Sequence, residues 1–188
     1  MGSSYATAPL IFLIEVLFGA YTLVVLLRFV LQLVRADFYN PISQFAVKVT
    51  SPLLVPMRRL IPAIRGIDSA SLVLLWLLKS VELTLTLLLK GYGLQVMAAI
   101  VHSIPALVEL TINLFLFSIF IQVILSWISP GGYNPAAGLI ESITAPLLRP
   151  ARRLVPPVGG LDLSPMLVMI GLVLLKMLLI PLLSPTGL

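Results

Sequence analysis

Cysteine is absent from the 188 residues. Structural disulfides, thiolate metal sites, CxxC redox chemistry and cysteine-linked haem are therefore excluded. His102 is the single histidine, too few for a multi-histidine metal site, and is expected to be an interfacial polar residue. No P-loop, HExxH or GxSxG occurs, and no cofactor or catalytic residue is expected. Charge is scarce as well, at 10% of residues. What remains is apolar: 60% hydrophobic residues and a mean hydropathy of +1.13. A soluble chain of this length could not hide so much apolar side chain, so the composition is that of an integral membrane protein. The formal net charge of +5 does not point to nucleic acid. The cations cluster in two segments beside apolar runs, a pattern of membrane orientation.

The stretch from Asn40-Pro41 to Asp68 recurs 94 residues later, without a gap, as Asn134-Pro135 to Asp162. Thirteen of the 29 aligned positions are identical, which is too many for chance and makes the chain a tandem pair of structural units. The identities include Pro52/Pro146, Pro56/Pro150, Arg58-Arg59/Arg152-Arg153, Pro62/Pro156, Gly66/Gly160 and Asp68/Asp162. Upstream, Glu15 matches Glu109 at the same offset.

A span needs about 20 apolar residues. Four stretches qualify: about 10–34, 72–89, 104–128 and 166–183. They divide the chain into a first repeat (9–90), a connector (91–102) and a second repeat (103–184). Lys90 to Gly93 reads as a turn. Leu94 to Val101 is too short to span, so it lies at the interface or extends a neighbouring helix. Pro105 sits at the start of the third span. The segment before the first span has no basic residue and the apolar run is too long for a cleavable signal peptide. Five cations (Arg35, Lys48, Arg58, Arg59, Arg65) lie in the first repeat loop and three (Arg149, Arg152, Arg153) in the second, against Lys90 alone on the other side. Both repeat loops are thus expected in the cytoplasm, with both termini outside and the repeats parallel. The expected fold is an all-α membrane protein, four transmembrane helices in two tandem parallel repeats.

Each repeat loop opens on Asn-Pro, a turn signal. Ile42, Phe45, Ala46 and Val49 then recur at helical spacing, with Ser43, Gln44 and Lys48 on the opposite face. This predicts a short amphipathic helix on the membrane surface. Three prolines follow in each copy, so a continuous helix is not expected through Pro52 and Pro56. The prediction is a kinked interfacial wedge with Arg58, Arg59, Arg152 and Arg153 at anionic lipid headgroups or on a protein partner. Asp68, Ser69 or Ser71 can cap the following span, and Ser164-Pro165 has the N-cap/N1 form.

Six ionisable groups interrupt the spans: Glu15, Arg28, Lys79, Glu82, Glu109 and Lys176. Charge at the bilayer centre costs about 2.5–3.5 kcal/mol on insertion scales, so Glu15, Lys79, Glu82, Glu109 and Lys176 are expected to form a charge network. Glu82 and Lys176 occupy matching repeat positions, and a pair between them across the pseudo-symmetry axis is predicted. Arg28 shares a face with Gln32 and Arg35 and is expected to snorkel to the cytoplasmic side.

Two copies of NP-x10-PLL-x-P-x-RRL-[IV]-P-x3-G-x-D, each between apolar spans, resemble the YggT family (YggT/YlmG) of small bacterial inner-membrane proteins. SPLLVPMRRLIP with GIDSASLVLL and APLLRPARRLVP with GLDLSPM carry the resemblance, which covers nearly the whole chain. It implies a multi-pass inner-membrane protein with links to osmotic or potassium stress, cell shape and division, and membrane complex assembly. It implies no catalytic residues. The expected function is a non-enzymatic scaffold or assembly factor in contact with lipid and with a membrane-protein partner or further copies of itself. The alternative is an ion channel, transporter or transport modulator acting as an oligomer.

Overall fold

The computed structural model describes residues 3–128, 134–155 and 162–184. Pro156 and Gly160 lie outside these residues. The described chain folds into six helices: α1 (Ser3–Leu33), α2 (Pro41–Leu60), α3 (Ser69–Leu89), α4 (Val96–Ile128), α5 (Pro135–Leu154) and α6 (Ser164–Leu183). Four of them, α1 (from Thr7), α3, α4 and α6, are long and apolar enough to cross a membrane. The shortest, α6, has 20 residues, about 30 Å at 1.5 Å per residue, the thickness of a hydrocarbon core. Their large apolar side chains mostly face outward. On α6 only Ser164 and Pro165 are buried, as expected of a helix solvated by lipid.

Neighbouring spans run in the order α1, α3, α4, α6, and α2 and α5 fill in at one end. The packed core lies at that end. Val25, Leu26, Val30 and Leu31 of α1 meet Leu74 and Leu75 of α3, Leu54 of α2, and Leu139 and Ile143 of α5. Away from it, Phe12, Leu13 and Leu17 of α1 are exposed.

Helix ends follow local chemistry. In each copy asparagine is an N-cap and proline occupies the first turn: Asn40 Oδ1 accepts from Ile42 N (3.0 Å) and Asn134 Oδ1 from Ala136 N (2.9 Å). Asn-Pro therefore starts a helix rather than a free turn. α3 closes with Gly91 at φ +86, its N–H reaching Leu88 O and that of Tyr92 reaching Leu87 O, a left-handed cap. Between α2 and α3, Ile64 and Ile67 exchange both backbone bonds around Arg65 (φ 53) and Gly66 (φ 83). Two positive φ values make this a type I′ turn.

Several expectations are corrected. The amphipathic helix and the proline-rich wedge are one 20-residue helix in each repeat, running through Pro52 and Pro56 in α2 and through Pro146 and Pro150 in α5. In each helix the two prolines are four residues apart and lie on its exposed side. The carbonyls they leave without a backbone donor therefore need not be buried, and the packed face keeps its bonds. Ser43 is on the buried face, its hydroxyl donating to Asp37 O (2.9 Å). Of the two alternatives for Leu94 to Val101, the structure has the second, since from Val96 onward it forms the first turns of α4; Pro105, expected at the start of the span, is a buried interior residue of that helix. One lost backbone bond, to the Val101 carbonyl, does not end a helix of 33 residues. Finally, α6 begins at Ser164 itself, and its first turn is held by Asp162 Oδ1 accepting from Ser164 N (2.9 Å).

Candidate functional site

The surface built by α2 and α5 is the most specifically held feature of the molecule. Two locks fasten each helix, and they recur between repeats. In the first lock, Arg28 of α1 is 5% exposed and donates through Nη1 to Thr50 Oγ1 (2.6 Å), Val47 O (3.3 Å) and Ser51 Oγ (3.4 Å) of α2. It does not snorkel to solvent; α2 satisfies it. In the second repeat, Gln122 of α4 takes the same place, and Thr144 Oγ1 donates to Gln122 Oε1. The threonines carry the lock in both copies. Their identity at positions 50 and 144 was the signal available in sequence, although neither had been marked as a site.

In the second lock, Arg58 at the end of α2 grips Asp68, with Nη2 to Oδ2 at 2.5 Å and Nε to Oδ1 at 3.3 Å. Arg58 Nη2 also donates to Gln32 Oε1 (3.3 Å), and Ser71 Oγ donates to Asp68 Oδ2 (2.5 Å). The second repeat pairs Arg152 Nε with Asp162 Oδ2 (2.8 Å). Burial alone would raise the Asp68 carboxyl, but hydrogen bonds from Arg58 and Ser71 and the guanidinium charge outweigh it and hold the pKa below the ordinary range. Asp162 is lowered in the same way: its burial is outweighed by Ser164 and Arg152.

A depressed carboxyl contributes stability above its unfolded pKa of about 3.9 and loses it as pH falls through the folded value. The α2–α3 junction is thus expected to loosen below about pH 4, measured as amide exchange at Ser69 to Ser71. Arg58→Ala should reduce that acid dependence, leaving the part due to Ser71. Asp162 is more exposed and contributes less.

The repeat equivalence also predicts a tolerated change. Arg28→Gln copies Gln122 and should keep α2 docked, whereas Arg28→Leu deletes charge-assisted bonds of roughly 1.5–3 kcal/mol each. Thermal unfolding of the two variants checks this; equal losses would show that Thr50 does not need the partner.

The arginine pairs expected to bind headgroups therefore divide. Arg58 and Arg152 are occupied within the fold. Arg59 and Arg153 are exposed, as are Lys48 and Arg149, and none of the four has an ion-pair partner among the described residues. Around α2, Ser43, Ala46, Thr50 and Leu54 face the bundle. Phe45, Leu53 and Leu60 form an exposed apolar flank, and Gln44, Lys48 and Arg59 an exposed polar one. The two helices meet where Asn40 Nδ2 donates to Pro135 O (2.6 Å). This joint puts α2 and α5 at the same end of the bundle, beside a cleft of about 350 Å³ bordered by Asp37 and Glu141.

The intramembrane charges form two pairs rather than one network. Lys79 Nζ meets Glu82 Oε1 at 2.7 Å within α3. Lys176 Nζ meets Glu109 Oε1 at 2.6 Å and Asn113 Oδ1 at 3.1 Å, joining α6 to α4. The predicted Glu82–Lys176 pair does not form, because each partner finds an opposite charge inside its own repeat. Lysine before glutamate is the weaker order on an exposed helix, but Glu82 is buried, where a local cation outweighs that preference. Glu15 is exposed and has no ion-pair partner among the described residues. His102 lies in α4, bonded to Ala98 O (2.8 Å). No group of three or more His, Asp or Glu residues that could hold a metal occurs among the described residues.

The CCB3/YggT family model matches residues 7–89 and again 101–183. The chain is 51% identical to an uncharacterized Pseudomonas aeruginosa protein over 172 residues, which cover 90% of this chain and 87% of that one. It is 38% identical to the uncharacterized protein YggT of Escherichia coli K12 over 180 residues, 95% of this chain and 93% of the relative. A Vibrio alginolyticus protein is 39% identical over 163 residues, 86% of this chain and 88% of the relative. No solved structure matches.

Proposed function

The chain belongs to the CCB3/YggT family, and from that membership and the α2–α5 surface we propose that it is a non-enzymatic scaffold or assembly factor of the bacterial inner membrane. In this reading the surface faces the cytoplasm, rests on anionic headgroups and holds a membrane-protein partner. Its cellular setting is osmotic or ion stress or envelope organisation, as the resemblance implies. The observation that carries it is that α2 and α5, each fastened to its own repeat and joined by Asn40 and Pro135, lie at one end of the bundle with Lys48, Arg59, Arg149 and Arg153 exposed and without ion-pair partners among the described residues. Each such cation near an anionic leaflet contributes about 1 kcal/mol, and the exposed Phe45, Leu53 and Leu60 can sink beside them.

Photo-crosslinkers at Arg59 and Arg153 in living cells test the proposal. Both positions should trap the same membrane protein, and Arg59→Glu with Arg153→Glu should lose it. Adducts to lipid alone from both positions would refute the scaffold. A cysteine at Gln44 or Ala137 should be shielded from an impermeant thiol reagent added outside, and one at Tyr92 should label; the reverse pattern would overturn the orientation.

A second reading, an ion channel, transporter or transport modulator acting as an oligomer, draws on one observation: the polar stripe of half-buried Lys79 and buried Glu82 and Thr86 along α3. Against it, the groove of about 530 Å³ between α1, α3, α4 and α6 is lined by apolar side chains apart from Thr111, which suits acyl chains rather than ions. Ion flux through the purified protein in liposomes separates the two readings.

A further inference from the structure

The offset that aligns the loops also aligns the spans. In the second repeat, Glu109 of α4 meets Lys176 of α6, with Asn113 beside them. The corresponding residues of the first repeat are Glu15 and Gly19 of α1 and Glu82 of α3. Positions that set an acid against a base in one repeat set an acid against an acid in the other. The register within the first repeat agrees. Arg58 bridges Gln32 and Asp68 across α1 and α3. Fourteen residues along each of these antiparallel helices lie Phe18 and Glu82, and Glu15 is one turn beyond Phe18.

Around this level the first repeat buries oxygens it does not satisfy. Glu82 is 5% exposed; Lys79 holds its Oε1, and its Oε2 has no hydrogen-bond partner among the described residues. Thr86, one turn further along the same face of α3, is buried with a hydroxyl that has no partner among the described residues. Buried polar groups are rarely left so. The fold of the repeat does not require these oxygens, because the second repeat has Val173, Lys176 and Ile180 at the positions of Lys79, Glu82 and Thr86.

We infer that this band between α1 and α3 is an intramembrane binding site for one small monovalent cation. Glu82 Oε2 and the Thr86 hydroxyl supply oxygen ligands, and Glu15, level with them on α1 by the same register, stands at the exposed mouth. Hard cations take carboxylate and other oxygen ligands, and unpaired acids within spans mark ion sites. Two carboxylates and one lysine leave a net charge of −1, which a single monovalent ion neutralises. With Lys79 2.7 Å from the same carboxylate, a divalent ion is opposed. The site is separate from the α2–α5 surface, and binding requires neither scaffolding nor transport.

The test is thermal unfolding of the purified full-length protein in nanodiscs, in lithium, sodium or potassium chloride against choline chloride at equal ionic strength. A ligand that binds only the folded state raises Tm with its concentration. At least one alkali cation should raise Tm by several degrees over choline. Glu82→Gln should lose the rise, Thr86→Val should lose most of it, and Glu141→Gln on α5 should keep it. If Glu82→Gln does not fold, Thr86→Val decides alone, since it exchanges a hydroxyl for a methyl. Equal Tm in all four salts, or an undiminished rise in Thr86→Val, overturns the inference. So does a Glu82→Gln protein that is stabilised in choline, because the carboxylates would then be holding a proton instead.

Discussion

Arg58→Glu should detach the end of α2 from α3, while Arg59→Glu should leave the fold intact. The two residues are adjacent and chemically identical, but Arg58 grips a buried carboxylate and Arg59 points outward. Asp68 is buried but the Arg58 side chain is 35% exposed, so losing the cation costs about 1.5–3 kcal/mol, as for hydrogen bonds to a charged group, rather than the cost of a fully buried pair, and a glutamate would add repulsion against Asp68. Against a total stability of roughly 5–15 kcal/mol, that is enough to deplete the folded protein. A surface change away from such contacts stays within about 0.5 kcal/mol. Thermal unfolding of the two purified variants is the measurement. Equal stability would mean that Asp68 does not depend on Arg58. Arg59→Glu is therefore the cleaner probe of the lipid or partner contact, because any loss of function it causes is not a loss of structure.

The second large effect is expected at Lys176. Lys176→Met leaves Glu109 inside a span without a cation, and Glu109→Gln leaves Lys176 with Asn113 alone. An uncompensated charge at that depth costs about 2.5–3.5 kcal/mol. Each single variant should accumulate poorly, and the double variant should recover part of the loss, since exchanging both partners of an ion pair for neutral groups is often close to neutral. Folded protein is counted by fluorescence-detected size exclusion. Additive losses in the double variant would show no coupling between the two residues.

The architecture was legible because each of its signals is local. Four apolar runs of sufficient length and the gapless repeat survive in the structure, as does a helix across residues 42–49, although its buried face carries Ser43 while Ile42 and Phe45 are exposed. The extent of α2 was not legible. Pro52 and Pro56 argue for a break unless both are known to fall on the exposed side, and that depends on which face α1 covers. Partner choice was hidden for a similar reason. Glu15, Glu82 and Glu109 are all possible mates for Lys176 by charge, and only packing selects Glu109 for Lys176 and joins Glu82 to Lys79. The platform residues were half legible. The repeated Arg-Arg pair marked the place, but its division into a structural and a free arginine follows from the phase of α2 against Asp68. The Thr50–Arg28 and Thr144–Gln122 locks escaped because their two sides differ between the copies on one helix and agree on the other.

The locks on α2 and α5 have a consequence for biogenesis. Every one of them closes within a single repeat: Arg28 with Thr50, Arg58 with Asp68, Gln122 with Thr144, Arg152 with Asp162. The partners are separated by 22 residues or fewer along the chain. The first repeat can therefore be complete, with α2 already fastened, while the second is still being synthesised. The later half then inserts beside a finished neighbour rather than into an unsettled chain, and Asn40 offers Pro135 a preformed contact on its arrival.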